Sequence, residues 1–319
     1  MLAHRNLILL FSLGIFAFIQ FLIPKEKGEN NFHSNSSLTV ISKNDSALNH
    51  YEAVKMALQD CYIALPASTK GEWQDVYKEK YQSFEAYLKS KPIQPDKIRN
   101  KIYIQPIGKF DSLDTKIILI AADYLHAFFS LEVKINHTIP DTLVPEKSRR
   151  KLNGTEQLHT EFIMNSLLKP SLPADAASMI AITEYDLYPK ETWNYVFGQA
   201  SVKERIGVWS LNRFGNPNLS TYSLHSCLMR TLQTASHETG HMFSLPHCVK
   251  YKCLMNGSIS LEESDNKPLW LCPDCLCKLC WNLGIREKFF LSSQKIFWEK
   301  SGDKTLAEFY GKCLKQIVN

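Results

Sequence analysis

Five consecutive residues, His237-Glu238-Thr239-Gly240-His241, constrain this chain more than any other stretch, because they continue directly from an apolar stripe of Leu224, Leu228, Leu232 and Ala235. That spacing predicts a helix anchored in a core, with the pentapeptide on its last turns. Two histidines four residues apart lie about one turn from each other, roughly 6 Å of rise, so two neutral imidazole nitrogens can reach one Zn²⁺ at about 2.0–2.1 Å. Glu238, beside the first of them, is placed to take a proton from a water activated by the ion as that water attacks a peptide carbonyl. His247, six residues past His241, supplies a third nitrogen if the chain leaves the helix and doubles back, with one coordination position left open. Met255 follows where a methionine turn beneath a three-histidine site is expected.

The cysteines carry a second signal. Cys248-x₄-Cys253 and Cys272-x₂-Cys275 offer four thiolates in two short-spaced pairs, which suits a closed, tetrahedral, structural zinc site. If Cys248 binds one ion immediately after His247 binds another, the second site fixes the chain that delivers the third imidazole. Disulfides are the alternative in an oxidising compartment. Cys277 and Cys280 overlap the second pair, and Cys61, Cys227 and Cys313 read as buried thiols.

Composition sets the frame for these sites. In 319 residues, 45% are hydrophobic and 22% charged, with 13 Gly and 14 Pro, which excludes a wholly disordered, collagen-like or polytopic membrane protein. A net charge of +5 with both signs interspersed gives no nucleic-acid surface. The densest basic cluster, Lys147, Arg149, Arg150 and Lys151, reads as a solvated loop. Residues 1–23 contain an almost continuous apolar run at 7–23, read as a signal anchor for single-pass membrane attachment or entry to the secretory pathway, with a cytoplasmic location if that segment does not anchor. Six Asn-x-Ser/Thr sequons, at Asn35, Asn44, Asn136, Asn153, Asn218 and Asn256, are compatible with a lumenal chain.

Residues 24–48 read as a linker or stalk, 49–100 as a helical N-terminal region and 101–319 as the main domain. Val54, Leu58, Cys61 and Leu65 give one helical stripe. Trp73, Val76, Tyr77, Tyr81, Phe84 and Leu88 give another, whose aromatics are expected in the core. From Lys101 the pattern alternates between strands and helices, which predicts an α/β (α+β) domain. Strands are expected at 101–107, 131–135 and 178–183, helices at 113–129 and 156–168. A hairpin or adjacent pair is expected from 195–197 and 206–211, with the second segment as a sheet edge onto which an extended peptide adds a strand.

The string from His237 through Met242-Phe243-Ser244-Leu245-Pro246 to Cys248, followed by Cys253-Leu254-Met255 and Cys272-Pro273-Asp274-Cys275, resembles the archaemetzincin family of zinc metallopeptidases. Segments 101–108, 186–189, 193–201 and 261–263 share that resemblance, which runs from about Tyr51 to the C-terminus and is closest to the animal members. It implies a metzincin-like mixed twisted sheet with an active-site helix, a Met-turn and a structural zinc knuckle. It also implies His237, His241 and His247 on catalytic zinc, Glu238 as base, Cys248, Cys253, Cys272 and Cys275 on structural zinc, and a peptide or protein substrate. Ser244 departs from the pattern. It stands where the family motif has a glycine that permits a positive φ, and it motivates an alternative reading, a zinc-stabilised binding or scaffold protein that hydrolyses weakly or not at all. The apolar N-terminal segment is the second departure.

Overall fold

The computed structural model describes residues 37–318. The apolar segment 1–23 lies outside them, and no helix among the described residues is long and apolar enough to cross a membrane. The chain divides into two compact units, Met1–Cys61 with Lys288–Asn319, and Tyr62–Glu287. In the first, the helix Ser37–Leu58 packs against the last helix, Lys304–Val318, and Lys312 Nζ donates to Asp60 O at 3.0 Å. The first helix begins within the stretch read as a linker, where Asn and Ser leave no apolar stripe for periodicity to reveal. Residues 62–100 share a unit with the sheet that follows them, whereas 288–319 join the N-terminal helix.

The second unit is built on a five-stranded sheet of β1 (Lys101–Ile107), β2 (Glu132–Ile135), β5 (Ala176–Thr183), β7 (Gly198–Ser201) and β8 (Ile206–Ser210), in the order β2-β1-β5-β8-β7. All pairs are parallel except β7–β8. A smaller sheet holds β3 (Arg149–Leu152), β4 (Thr155–His159) and β6 (Asp186–Tyr188), in the order β3-β4-β6. Side chains alternate across the pleat. Tyr103, Met179, Ala181 and Val208 join Leu158, Ile163, Met164, Leu168 and Leu187 in one buried cluster. The alternate residues Ile102, Ile104, Ile180 and Ile182 are buried on the opposite face. The helix Ser112–Phe129, started by an Asp111–Asp114 capping box, packs against the helix Thr221–Met242. The latter rests on β8 and β7, so the sheet fixes the height and direction of the helix that carries the histidines.

Several expectations are corrected. Ile206–Ser210 is not an edge: β5 flanks it on one side and β7 on the other, and the edge strand on that side is Gly198–Ser201. Its Gly-Gln-Ala-Ser composition has no β-branched or aromatic residue to announce a strand. The aromatic stripe is not one helix in the core. It breaks into Trp73–Tyr77 and Phe84–Lys89, with Lys78 left-handed between them, and Val76, Tyr77 and Tyr81 are exposed. The basic cluster is largely strand: Arg149 pairs with Asp141 and Glu156, while Arg150 pairs with Glu191 and lies over the Tyr188 ring. The sequon residue Asn256 is buried, with its amide donating to Cys248 O and Tyr251 O, which leaves it no room for a glycan.

Candidate functional site

The helix Thr221–Met242 starts at Ser220, whose hydroxyl accepts from Ser223 N, and delivers His237, Glu238 and His241 on its final turns. It then stops abruptly. Tyr87 OH donates to Phe243 O at 2.8 Å, and Leu245 N returns to Gly240 O at 3.1 Å, reversing the chain toward His247. The reversal needs a positive φ, which Ser244 supplies at 65°. Its Oγ accepts from Ile93 N at 2.9 Å, so the serine brings a bond that glycine lacks.

The three rings converge, with centroids 4.6, 5.3 and 4.9 Å apart. Each has an Nδ1 whose partner can only accept: Leu254 O at 2.9 Å from His237, Leu245 O at 2.7 Å from His241, and the Glu79 carboxylate at 2.9 Å from His247. The Nδ1 atoms therefore carry the protons, and the Nε2 lone pairs are left bare. His237 and His241 bring theirs to 3.0 Å of each other. Two lone pairs that close repel unless a cation lies between them. Burial also drives the His237 imidazole well below its ordinary pKa and the His241 imidazole to about 3, which keeps both neutral, as metal ligands must be. Neutral imidazoles with outer nitrogens fixed by carbonyls and a carboxylate form a donor set that fits Zn²⁺.

Met255 packs against the histidine helix at Gly240, where a Cβ would stand 2.9 Å from its sulfur, so a larger residue there would have to displace the methionine side chain. Glu238 is buried against β7, where a Cβ on Gly198 would meet its Cγ at 2.8 Å. Burial pushes its carboxyl up to about 8, opposed by the charge of Lys267.

The sulfurs of Cys248, Cys253, Cys272 and Cys275 lie within 4.8 Å of one another, all in buried residues. Cys248 and Cys272 are 3.6 Å apart. A disulfide needs about 2.05 Å, whereas a tetrahedral ion with bonds of about 2.3 Å spaces its sulfurs about 3.8 Å apart. No cysteine among the described residues forms a disulfide. Cys253 Sγ accepts from Cys272 N at 3.2 Å. Hydrogen bonds from the other three thiols hold Cys248 far below the ordinary range, and those same contacts together with burial push Cys272 and Cys275 far above it. Four thiolates cannot share this volume without a cation, and the set fits a closed zinc site. Cys277 and Cys280 are buried outside it. The centres are neighbours in the chain and in space: Cys248 N donates to Met255 O at 2.7 Å, one residue beyond the carbonyl that orients His237.

A cleft of about 780 Å³ opens over the histidines, walled by Trp73, Tyr77 and Trp193 with β7 along one side. All the expected ligands thus come together. Glu79, Trp73, Gly198 and Lys267 were not foreseen, since none lies near the histidine motif in sequence and no short pattern marks them. Glu79 also accepts from Trp73 Nε1 at 2.9 Å, and Trp73 N donates to Glu263 at 2.9 Å, which ties this segment to the cleft wall.

A mixed α/β scaffold carrying one three-imidazole cluster open to a cleft and one enclosed four-thiol cluster defines a class of protein with two clusters that could each hold a metal ion. Comparison with known proteins specifies the class. Peptidase family M54 matches residues 150–280. The chain is 32% identical to archaemetzincin-2 of Homo sapiens over 299 residues, covering 79% of this chain and 82% of the relative. It is 30% identical to archaemetzincin-1 of Homo sapiens over 239 residues, covering 65% and 47%. The crystal structure of archaemetzincin from Methanopyrus kandleri is 26% identical and covers 60% of this chain and 98% of that one, with a TM-score of 0.49. The chain belongs to the archaemetzincin family.

Proposed function

We propose that this protein is a zinc-dependent peptidase, with His237, His241 and His247 holding the catalytic ion and Cys248, Cys253, Cys272 and Cys275 a structural one. Bound zinc supplies a Lewis acid and brings the pKa of a coordinated water to about 7. The buried Glu238 carboxylate takes the proton from the attacking water and returns it to the departing amide nitrogen. An extended peptide pairs its main chain with β7, an edge strand, which runs along the cleft above Glu238. Gly198 in that strand leaves space for the carboxylate. The Met255 turn holds the first imidazole through Leu254 O.

The observation that carries this reading is the pair of Nε2 atoms turned toward each other beside the buried Glu238 carboxylate, which faces the cleft. The alternative of an inactive scaffold loses its motive at Ser244, since the turn forms with serine and gains a hydrogen bond. Glu238→Gln should abolish peptide hydrolysis while two zinc ions per chain stay bound, as counted by elemental analysis. Turnover at the wild-type rate would remove Glu238 from the mechanism.

A further inference from the structure

The cleft holds a charged side chain that proton transfer and metal binding leave unused. Lys267 lines the same hollow as Glu238, Thr234, Ser258 and Ser264. Its backbone is fixed: its N–H donates to Ser264 O at 3.0 Å, and Gln233 Nε2 donates to its carbonyl at 2.9 Å. Ser264 Oγ in turn donates to Gln233 Oε1 at 2.9 Å. Gln233 lies one turn before His237, so the lysine is locked to the helix that carries Glu238. The ammonium donates to Ser258 Oγ at 3.2 Å. With three donors on an ammonium, two stay available to a molecule in the cleft. Burial also lowers its pKa to about 8, opposed by the carboxylates of Glu238 and Glu263. An ammonium in such a place gains most from an incoming carboxylate, through a charge-assisted hydrogen bond in a low-dielectric setting.

Building on the peptidase reading, we propose that Lys267 sets substrate specificity by binding a carboxylate on the residue next to the scissile bond. Two groups share that chemistry, an Asp or Glu side chain and a free C-terminal carboxylate. The hydroxyls of Thr234 and Ser258 line the same hollow, where they can donate to the second carboxylate oxygen. Trp73, Tyr77 and Trp193 wall the cleft with aromatic surface, and its other lysine, Lys190, comes from the Pro189–Thr192 stretch rather than from the hollow that Lys267 shares with Thr234, Ser258 and Ser264 around Glu238.

The test uses the zinc-loaded full chain as wild type, Lys267→Met, Lys267→Arg and Lys267→Glu. Substrates are C-terminally amidated peptides with Glu, Leu or Lys on either side of the cleaved bond, plus one series with Gly there and a free C-terminus. Zinc-binding peptide hydroxamates with the same residues are titrated calorimetrically, which reads selectivity without turnover. Wild type should favour the acidic peptides over neutral ones by about tenfold or more in kcat/KM and in affinity. Lys267→Arg should keep the preference, Lys267→Met erase it and Lys267→Glu turn it toward Lys. A gain confined to the amidated Glu series assigns the side chain as the source, and one confined to free C-termini assigns the terminal carboxylate. A wild-type preference within twofold, or an acid preference that survives in Lys267→Met while kcat falls equally for all peptides, overturns the proposal. If wild type cleaves nothing, the peptidase reading fails, and the hydroxamate titrations still decide the role of Lys267.

Discussion

Ser244 is the position where the chain departs from its family motif, and its energetics can be worked out from the structure. A non-glycine residue in the left-handed region costs about 1–2 kcal/mol, and Ser244 sits there at φ 65°. Against that cost, its hydroxyl accepts the Ile93 N–H at 2.9 Å, a half-buried bond worth about 1 kcal/mol. Ser244→Ala keeps the strain and loses the bond, so it should destabilise by about 1–2 kcal/mol. Ser244→Gly loses the bond, relieves the strain and adds about 0.5–1 kcal/mol of backbone entropy cost, for a net change near zero. The order expected is therefore serine and glycine together, with alanine lower. For a unit of this size each kcal/mol moves Tm by about 2–4 °C, which differential scanning calorimetry on matched zinc-loaded samples resolves. Zinc affinity at the three-histidine site should follow the same order, because residue 244 sets the bend that delivers His247. An alanine variant as stable as wild type would refute the hydrogen-bond account. A glycine variant more stable by over about 1 kcal/mol would show that the serine is strain without compensation.

Three further outcomes follow from the same geometry. Glu79→Ala should weaken zinc at the histidine site by about 10–100-fold, with Glu79→Gln between it and wild type, and leave the cysteine site loaded, as competitive chelator titration would show. Gly198→Ala places a Cβ within 2.8 Å of Glu238 Cγ, so the carboxylate must move. A displacement of up to about 1 Å should lower kcat/KM roughly 10–100-fold with Tm and zinc content unchanged, and unchanged kinetics would mean the carboxylate has slack. Cys275→Ser should remove one zinc per chain and destabilise the unit by about 4 kcal/mol or more, read as a fall in Tm and in metal stoichiometry.

What sequence revealed here was what local spacing controls. The helix with His237 and His241 was legible because apolar periodicity and ligand spacing share the 3.6-residue repeat. Strands β1 and β5 were legible from their Ile-rich, largely apolar sequence, since a parallel strand buried on both faces shows little alternation. β7 was not, because Gly198 and Ala200 are chosen for closeness to Glu238 and to β8, and small residues carry no strand preference. The smaller sheet was missed for a related reason: β3 read as a basic loop and β4 as the start of a helix over 156–168, which begins only at Thr160, and the pair is held by guanidinium contacts that only proximity in space reveals.

The site divides along the same line. The histidine and cysteine clusters were legible because a cation site imposes both residue type and spacing on its donors. The residues that complete the site arrive from far off: Glu79 is 168 positions from His247, and Trp73 is 190 from Glu263. Their partners are single atoms, so no pattern accumulates around them. This explains why the aromatic stripe was misread. Trp73 and Tyr77 have the spacing of a core helix, but Lys78 breaks the helix and sends Glu79 under the third histidine. The enclosed centre then acquires a role beyond stability. Cys248 directly follows His247, and its N–H binds Met255 O, in the turn whose Leu254 carbonyl orients His237. An ion at the cysteines thus holds both ends of the segment that joins the third imidazole to the support of the first. Emptying that site should therefore weaken the histidine site too, although the two share no ligand.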